Sequence, residues 1–251
     1  GASAILMDVN TGEIISLVSL PDFDPNNRPR AAILGDPSEN PLFNRAAQGL
    51  YELGSTFKIF TAATSLEKGL VNPQTIIDTT PFRWNRKTYK DYKNYGPTNS
   101  VEDIIMKSSN VGTIRMALAA GTSAQKKTLK DLGFFEAVPV ELGEASRTKP
   151  QIPKNWSDTS TITISFGHGI SATPLHLATA YSIVANGGFR VKPTIKKIDF
   201  GNLSREQVIS PKTSQQLISM LRRVVSEKDG TAKMAKVEGY EVAGKTGTAE
   251  K

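Results

Sequence analysis

Tyr51-Glu52-Leu53-Gly54-Ser55-Thr56-Phe57-Lys58-Ile59-Phe60 is the stretch on which the reading of this chain turns. A glycine leads into a serine, and a lysine follows three residues later. Residues three apart on a helix are surface neighbours, so the Ser55 hydroxyl and the Lys58 amine share a side. A hydroxyl beside an amine is one route to an activated nucleophile without histidine. The pattern alone is weak, because Ser-x-x-Lys recurs at Ser65–Lys68 and Ser123–Lys126. Ile59, Ala62, Ala63 and Leu66 predict a helix from about Ser55 to Lys68, stopped by Gly69. Phe57 and Phe60 widen its apolar face, as in a helix buried at the centre of a domain. Ser65 then falls well round that helix and reads as structural.

Upstream, residues 2–9 and 13–20 are apolar runs flanking Asn10-Thr11-Gly12, which predicts a hairpin. The proline-rich segment 21–41 reads as a surface connection. Downstream, residues 81–95 interleave aromatic and basic residues. That mixture suits stacking on single-stranded nucleic acid, but no nucleic-acid module surrounds it, and a twisted hairpin is the simpler reading. Val101–Lys107 and Val111–Ala119 predict two helical pieces broken by Ser108-Ser109-Asn110, a tripeptide suited to capping. Residues 123–132 predict a polar helix with Ser123 as its N-cap, and 136–160 read as loop. Pro174 and Pro211 open helices running to about Asn186 and Val225. Phe189–Ile198 and Val237–Thr248 read as strands. His168 and His176 are the two histidines, each more simply a packed residue than a catalyst.

With 251 residues, the chain is long enough for one domain or a domain with a subdomain. Cysteine is absent, which excludes disulfides, thiolate metal sites and cysteine nucleophiles. The net charge of +7 favours anionic partners, among them nucleic acid, cell-envelope material and carboxylate substrates. No apolar run is long enough to span a membrane. The opening Gly1-Ala2-Ser3 reads as a strand entered at its first residue, so the sequence has the look of a portion of something longer.

Three short motifs follow one another: Ser55-Thr56-Phe57-Lys58, Ser108-Ser109-Asn110 and Lys245-Thr246-Gly247. A second Ser-x-Asn, Ser38–Asn40, precedes Ser55 and sits in the proline-rich connection. The chemistry explains the residue types. A serine attacking an amide carbonyl needs a base, and Lys58 serves once burial and a nearby cation such as Lys245 hold it neutral. The Ser108 hydroxyl suits proton relay to the leaving amine, and the Asn110 amide suits holding Lys58 and the substrate backbone. Lys245, Thr246 and Thr248 offer a cation and two hydroxyls to a carboxylate. Gly247 allows a ligand to lie close to the strand, and the Ser55 and Thr248 N–H groups form a candidate oxyanion hole. The site expected from sequence is therefore Ser55, Lys58, Ser108, Asn110 and Lys245 for catalysis, with Thr246, Gly247 and Thr248 binding substrate and no metal.

At these motifs the chain resembles the transpeptidase domain of class B penicillin-binding proteins, most closely the septal, cell-division type. The resemblance extends from Met7-Asp8-Val9-Asn10-Thr11-Gly12 through Asn44-Arg45-Ala46 and Phe166-Gly167-His168-Gly169 to Lys245-Thr246-Gly247-Thr248-Ala249. It implies an α/β (α+β) fold, an antiparallel sheet covered by helices, with a helical subdomain inserted over roughly 70–185. It also implies a cofactor-free D,D-transpeptidase that takes D-Ala-D-Ala stem peptides through a serine acyl-enzyme and is blocked by β-lactams. The implied setting is the cell envelope, as the periplasmic domain of a protein anchored in the inner membrane, beside a septal glycosyltransferase and divisome proteins. Nucleic acid is not among the implied partners. Leu53 departs from the family's usual proline before Gly-Ser, and the family's fold continues past Thr248 with further strands and a helix. A D,D-carboxypeptidase or a β-lactam sensor shares the local motifs. A β-lactamase fits less well, since no Glu-x-x-Leu-Asn-like stretch is present and Ser-Ser-Asn replaces Ser-Asp-Asn.

Overall fold

The computed structural model describes residues 1–30, 39–198 and 205–248. The chain divides into two compact units, one of residues 1–51, 130–151 and 171–208, the other of residues 52–129, 152–170 and 209–251. Ser38 and Ala249, named above, lie outside the described residues.

The first unit is built on the expected hairpin. Strands β1 (Ala2–Met7) and β2 (Ile14–Leu20) pair antiparallel, from Ala2 opposite Leu20 to Leu6 opposite Ser16, with an irregularity at Leu6/Met7. The Asp8 carboxylate closes the turn by accepting from the N–H groups of Asn10 (2.8 Å) and Thr11 (3.0 Å). Ile5, Met7 and Ile14 pack against Ala47, Val138, Val140, Ala145 and Leu175. The last of these belongs to the helix Pro174–Ala185, whose Thr173 cap accepts from His176 N–H. His176 is held there by Thr173 at Nδ1 and by the Glu136 carbonyl at Nε2, the packed role expected of it.

The second unit is wrapped around the helix α1 (Lys58–Glu67), preceded by a 3-10 turn over Gly54–Phe57. Every residue from Lys58 to Leu66 is buried, as the all-round apolar pattern predicts. Around it stand α2 (Val101–Lys107), α3 (Asn110–Ala120), α5 (Asp158–Ser165) and α7 (Pro211–Ser226). The helix α4 (Thr122–Asp131) precedes α5, and the helix at Pro174 is α6. Ser100, Ser157 and Ser210 cap α2, α5 and α7 by accepting from N–H groups three residues on. Short antiparallel pairs complete the unit: β3 (Ile76–Asp78) with β6 (Thr98–Ser100), and β4 (Phe82–Trp84) with β5 (Lys87–Tyr89). The basic–aromatic stretch is thus a hairpin, with Phe82, Trp84 and Tyr89 packed on Ile114, Ile162 and Phe166. Residues 70–185 contain these strands as well as helices.

Several expectations are corrected. Val237–Thr248 is no strand: it opens with a turn, Tyr240 N–H donating to Val237 C=O at 3.2 Å, among the described residues no strand pairs with it, and it is tied to α7 through Gly244 N–H to Leu221 C=O at 3.1 Å. The strand expected over Phe189–Ile198 is limited to β7 (Phe189–Arg190), paired with β8 (Glu206–Gln207); Pro193 has no N–H to extend the ladder. Ser123 lies inside the first turn of α4 rather than capping it. Among the described residues no helix is long and apolar enough to cross a membrane.

Candidate active site

Gly54 sets up the site. Its φ of +55° is open to glycine, and a Cβ there would collide with the Thr248 carbonyl. Gly167, at φ +88°, presses on Gly54 in the same way, and Gly54 N–H donates to its carbonyl at 3.2 Å. Two glycines therefore let three backbone segments meet at the start of the Ser55 turn. Gly247 serves the same packing: a Cβ there would stand 2.9 Å from the Leu53 carbonyl and from Thr56 Cγ2. On the side a Cβ would occupy, what approaches Gly247 is protein.

The Ser108-Ser109-Asn110 tripeptide is the break between α2 and α3. Ser108 ends α2 in the left-handed region, φ +61° and ψ 42°. Ser109 caps α3, its hydroxyl accepting from Gly112 N–H at 3.0 Å. The capping role expected of this tripeptide thus belongs to Ser109, and Ser108 is left to face the cleft.

Lys58 emerges from the first turn of α1 with 1% of its surface exposed. Its Nζ donates to the Ser108 carbonyl at 2.5 Å and to Ser108 Oγ at 3.0 Å. From the other side Lys245 Nζ reaches the same Oγ at 2.9 Å, and the Thr246 carbonyl at 3.1 Å. Burial, and after it the charge of Lys245, pushes the Lys58 ammonium well below its ordinary range, while the Asp91 carboxylate acts in the opposite sense. Burial brings Lys245 down to about 8. A neutral Lys58 has two N–H donors and one lone pair. Ser108 takes both donors, which leaves the lone pair for a proton from elsewhere.

Ser55, Lys58, Ser108, Asn110, Thr246 and Thr248 line one cleft of about 520 Å³. Lys245 reaches it through Ser108. No hydrogen bond joins Ser55 to Lys58, or Asn110 to Lys58, among the described residues. The partner of Lys58 is Ser108, which its fixed position at the helix break explains. A cavity of about 490 Å³ in the first unit, lined by Leu132, Val138, Ile183 and Val191, contains none of these residues. Tyr92, Tyr95, Phe166, His168 and Thr231 also line the motif cleft and were not singled out for it by sequence. The Thr246 hydroxyl donates to Thr231 Oγ1 at 3.0 Å. Asp91, which accepts from Ser109 Oγ at 2.6 Å and from Val111 N–H at 3.0 Å, was missed as well.

One cleft thus brings together a serine hydroxyl, a buried amine and the residues of all three motifs. The family model of the penicillin binding protein transpeptidase domain matches residues 2–251, and the chain belongs to that family. It is 34% identical over 254 residues to a probable peptidoglycan D,D-transpeptidase FtsI of Caulobacter vibrioides, covering 100% of this chain and 42% of that protein. The peptidoglycan D,D-transpeptidase FtsI of Escherichia coli is 35% identical over 250 residues, 99% of this chain and 41% of that protein. The chain thus spans less than half of these relatives. Among solved structures, the transpeptidase domain of Burkholderia pseudomallei penicillin-binding protein 3 superposes with a TM-score of 0.85 at 30% identity, covering 99% of this chain and 69% of that one. A peptidoglycan glycosyltransferase from Burkholderia ambifaria gives 0.87 at 29% identity, covering 99% and 73%.

Proposed function

We propose that this chain is the catalytic domain of a peptidoglycan D,D-transpeptidase acting in septal wall synthesis. The observation that carries the reading is Lys58, buried and held by Ser108 on one side of the cleft that Ser55 lines. Ser55 Oγ attacks the carbonyl of the penultimate D-Ala and gives its proton to the Lys58 amine. The Ser55 and Thr248 N–H groups face the developing oxyanion. The C–N bond breaks as Ser108 passes a proton to the leaving D-Ala amine, and Ser55 is left as an ester. An amine of a neighbouring stem then attacks the ester carbonyl and loses its proton through the same groups, and Ser55 is restored. Thr246 and Thr248, with the charge of Lys245, suit the substrate's terminal carboxylate. Asn110 lies where its amide can meet the substrate backbone.

β-Lactams fit the same route, acylating Ser55 and staying. A septal glycosyltransferase and divisome proteins are the partners this reading assigns to the whole protein, and a membrane-anchored periplasmic location is its setting. The test is incubation with a fluorescent penicillin followed by intact mass and peptide mapping. One stable adduct on Ser55, absent in Ser55→Ala, is expected; an adduct retained in Ser55→Ala, at Ser65 or Ser123, overturns the assignment. Release of D-Ala from a stem peptide with transfer to an amine acceptor separates the transpeptidase from a carboxypeptidase.

A further inference from the structure

Asp91 lies on the segment between β5 and β6, outside all three motifs, yet its carboxylate reaches into the helix break that carries Ser108. Oδ2 accepts from Ser109 Oγ at 2.6 Å, and Oδ1 accepts from Val111 N–H at 3.0 Å. The Ser109 hydroxyl works both ways, donating to Asp91 while accepting from Gly112 N–H. Val111 N–H is one of the first N–H groups of α3, which have no partner inside the helix. A carboxylate at a helix N-terminus also meets the positive end of the helix dipole. Asp91 therefore clamps the residue next to Ser108 and the first turn of α3 together, and Ser108 is held in a left-handed conformation between them.

The second role is electrostatic. Two lysines, Lys58 and Lys245, converge on Ser108 Oγ. Asp91 is the anion whose charge opposes that of Lys245 at Lys58. Tyr95, Lys107 and His168 also border the cleft. Lys107 is engaged with Asn99 at 2.8 Å and Asp103 at 3.9 Å, and burial, with the charge of Asp91 after it, raises Tyr95 and keeps that phenol neutral.

We propose that Asp91 is a positioning residue for serine acylation: its carboxylate fixes the Ser108–Ser109 turn, and with it the two Ser108 oxygens that hold the Lys58 amine. This inference rests on the acyl-enzyme reading above. A base weakened too far abstracts protons poorly even though it is neutral, so catalysis needs the lysine lowered but not collapsed. Burial and the charge of Lys245 push it toward collapse, and Asp91 opposes them.

The sign of the effect is testable. Removing the charge of Asp91 lowers the pH at which Lys58 becomes neutral, so the acid limb of acylation moves to lower pH. The plateau rate above that limb falls, because the base is weaker. The experiment is the pH profile of the second-order rate of Ser55 acylation by a fluorescent penicillin, in the intact protein, for wild type, Asp91→Asn, Asp91→Glu and Ser109→Ala. In Asp91→Asn the limb is expected to move to lower pH, with a plateau lower by about tenfold. Asp91→Glu keeps the charge and is expected to hold the limb at its wild-type position. Ser109→Ala removes one hydrogen bond but no charge, so it lowers the plateau without moving the limb. Asp91→Ser, whose hydroxyl still suits the α3 N-terminus, takes the place of the amide if that variant does not fold. An unmoved limb in the uncharged variant, or an equal shift in Ser109→Ala, overturns the proposal. Failure of the wild type to form a Ser55 adduct overturns instead the reading on which it rests.

Discussion

Lys58 and Lys245 donate to one oxygen, their Nζ atoms lying 3.0 and 2.9 Å from Ser108 Oγ. A serine hydroxyl has two lone pairs and one hydrogen. With both lone pairs occupied, the hydrogen of Ser108 must point away from the lysines. Ser108 is thus a poor base at rest and a ready donor once a proton arrives at Lys58, which is the order that release of a leaving amine requires. Ser108→Ala is expected to slow Ser55 acylation by ~10²- to 10⁴-fold, the usual worth of a positioned acid–base group. Stopped-flow kinetics with a fluorescent penicillin check it, and a wild-type rate would remove Ser108 from the relay.

Burial of Lys245 makes a stability prediction. Its ammonium is lowered from 10.5 to about 8 in the folded state, so between those values the unfolded chain holds more protons. Stability therefore rises as pH increases from about 8 to 10.5, and the cost of the buried charge is fully present below that window. Lys58, also lowered, extends the rise to lower pH. Lys245→Met removes a buried cation. It is expected to stabilise the fold at pH 7 by on the order of 1 kcal/mol while slowing acylation. Urea unfolding at pH 7 and pH 10 is the measurement, and the variant should gain less from the change of pH than wild type does.

Gly167 and Gly121 both have φ near +90°, at +88° and +85°, but their surroundings differ. A Cβ on Gly121 meets nothing within 4 Å, whereas one on Gly167 collides with the backbone of Gly54. Gly121→Ala should therefore cost about 1 kcal/mol, the conformational penalty alone. Gly167→Ala should cost roughly 2–4 kcal/mol and reduce β-lactam acylation, since the Ser55 turn must move. Thermal melts and adduct yield on the two variants distinguish these effects. Equal losses would show that the contact between Gly54 and Gly167 carries no energy.

Much of this was legible in the sequence, and the misses have physical reasons. α1, α2, α3, α6 and α7 announce themselves by apolar period and by Ser, Thr or Pro at their starts. The hairpin β1–β2 shows as two apolar runs about an Asx turn. α5 does not show: Thr159, Thr161, Ile162, Thr163 and Ile164 are β-branched residues that disfavour helix, and the reciprocal Ser157–Ser160 cap with burial of Ile162 and Ile164 overrides them. Val237–Thr248 has a strand's composition, but a strand is a property of two segments, and this one is packed against α7 and the Leu53–Gly54 turn. The serines and lysines that gather at the cleft are readable because motif spacing records them. Asp91 was not, because its partners lie at Ser109 and Val111 and only folding brings them to it. The packing at Gly247 is hidden for a similar reason: a missing side chain marks a close approach without saying what approaches.

Arg223 links α7 to the first turn of α2, its Nη1 3.0 Å from Glu102 Oε1 and its Nη2 3.0 Å from Asp103 Oδ1. About a quarter of each of these side chains is accessible, between the exposed pairs that contribute little and buried ones that carry a large desolvation cost. Both acids also sit at the N-terminus of α2, where the helix dipole favours them without help from Arg223. Arg223→Ala leaves those acids favourably placed on their own helix but removes the tie and the packing of the arginine stem. The expected loss is about 1–2 kcal/mol. A double-mutant cycle with Asp103→Asn should return a coupling of roughly 0.5–1 kcal/mol that shrinks in high salt. Because α2 ends at Ser108, the same variant should lower acylation modestly, by a few-fold at most. A coupling of zero would mean that the α2–α7 contact rests on its apolar residues, with the ion pairs as bystanders.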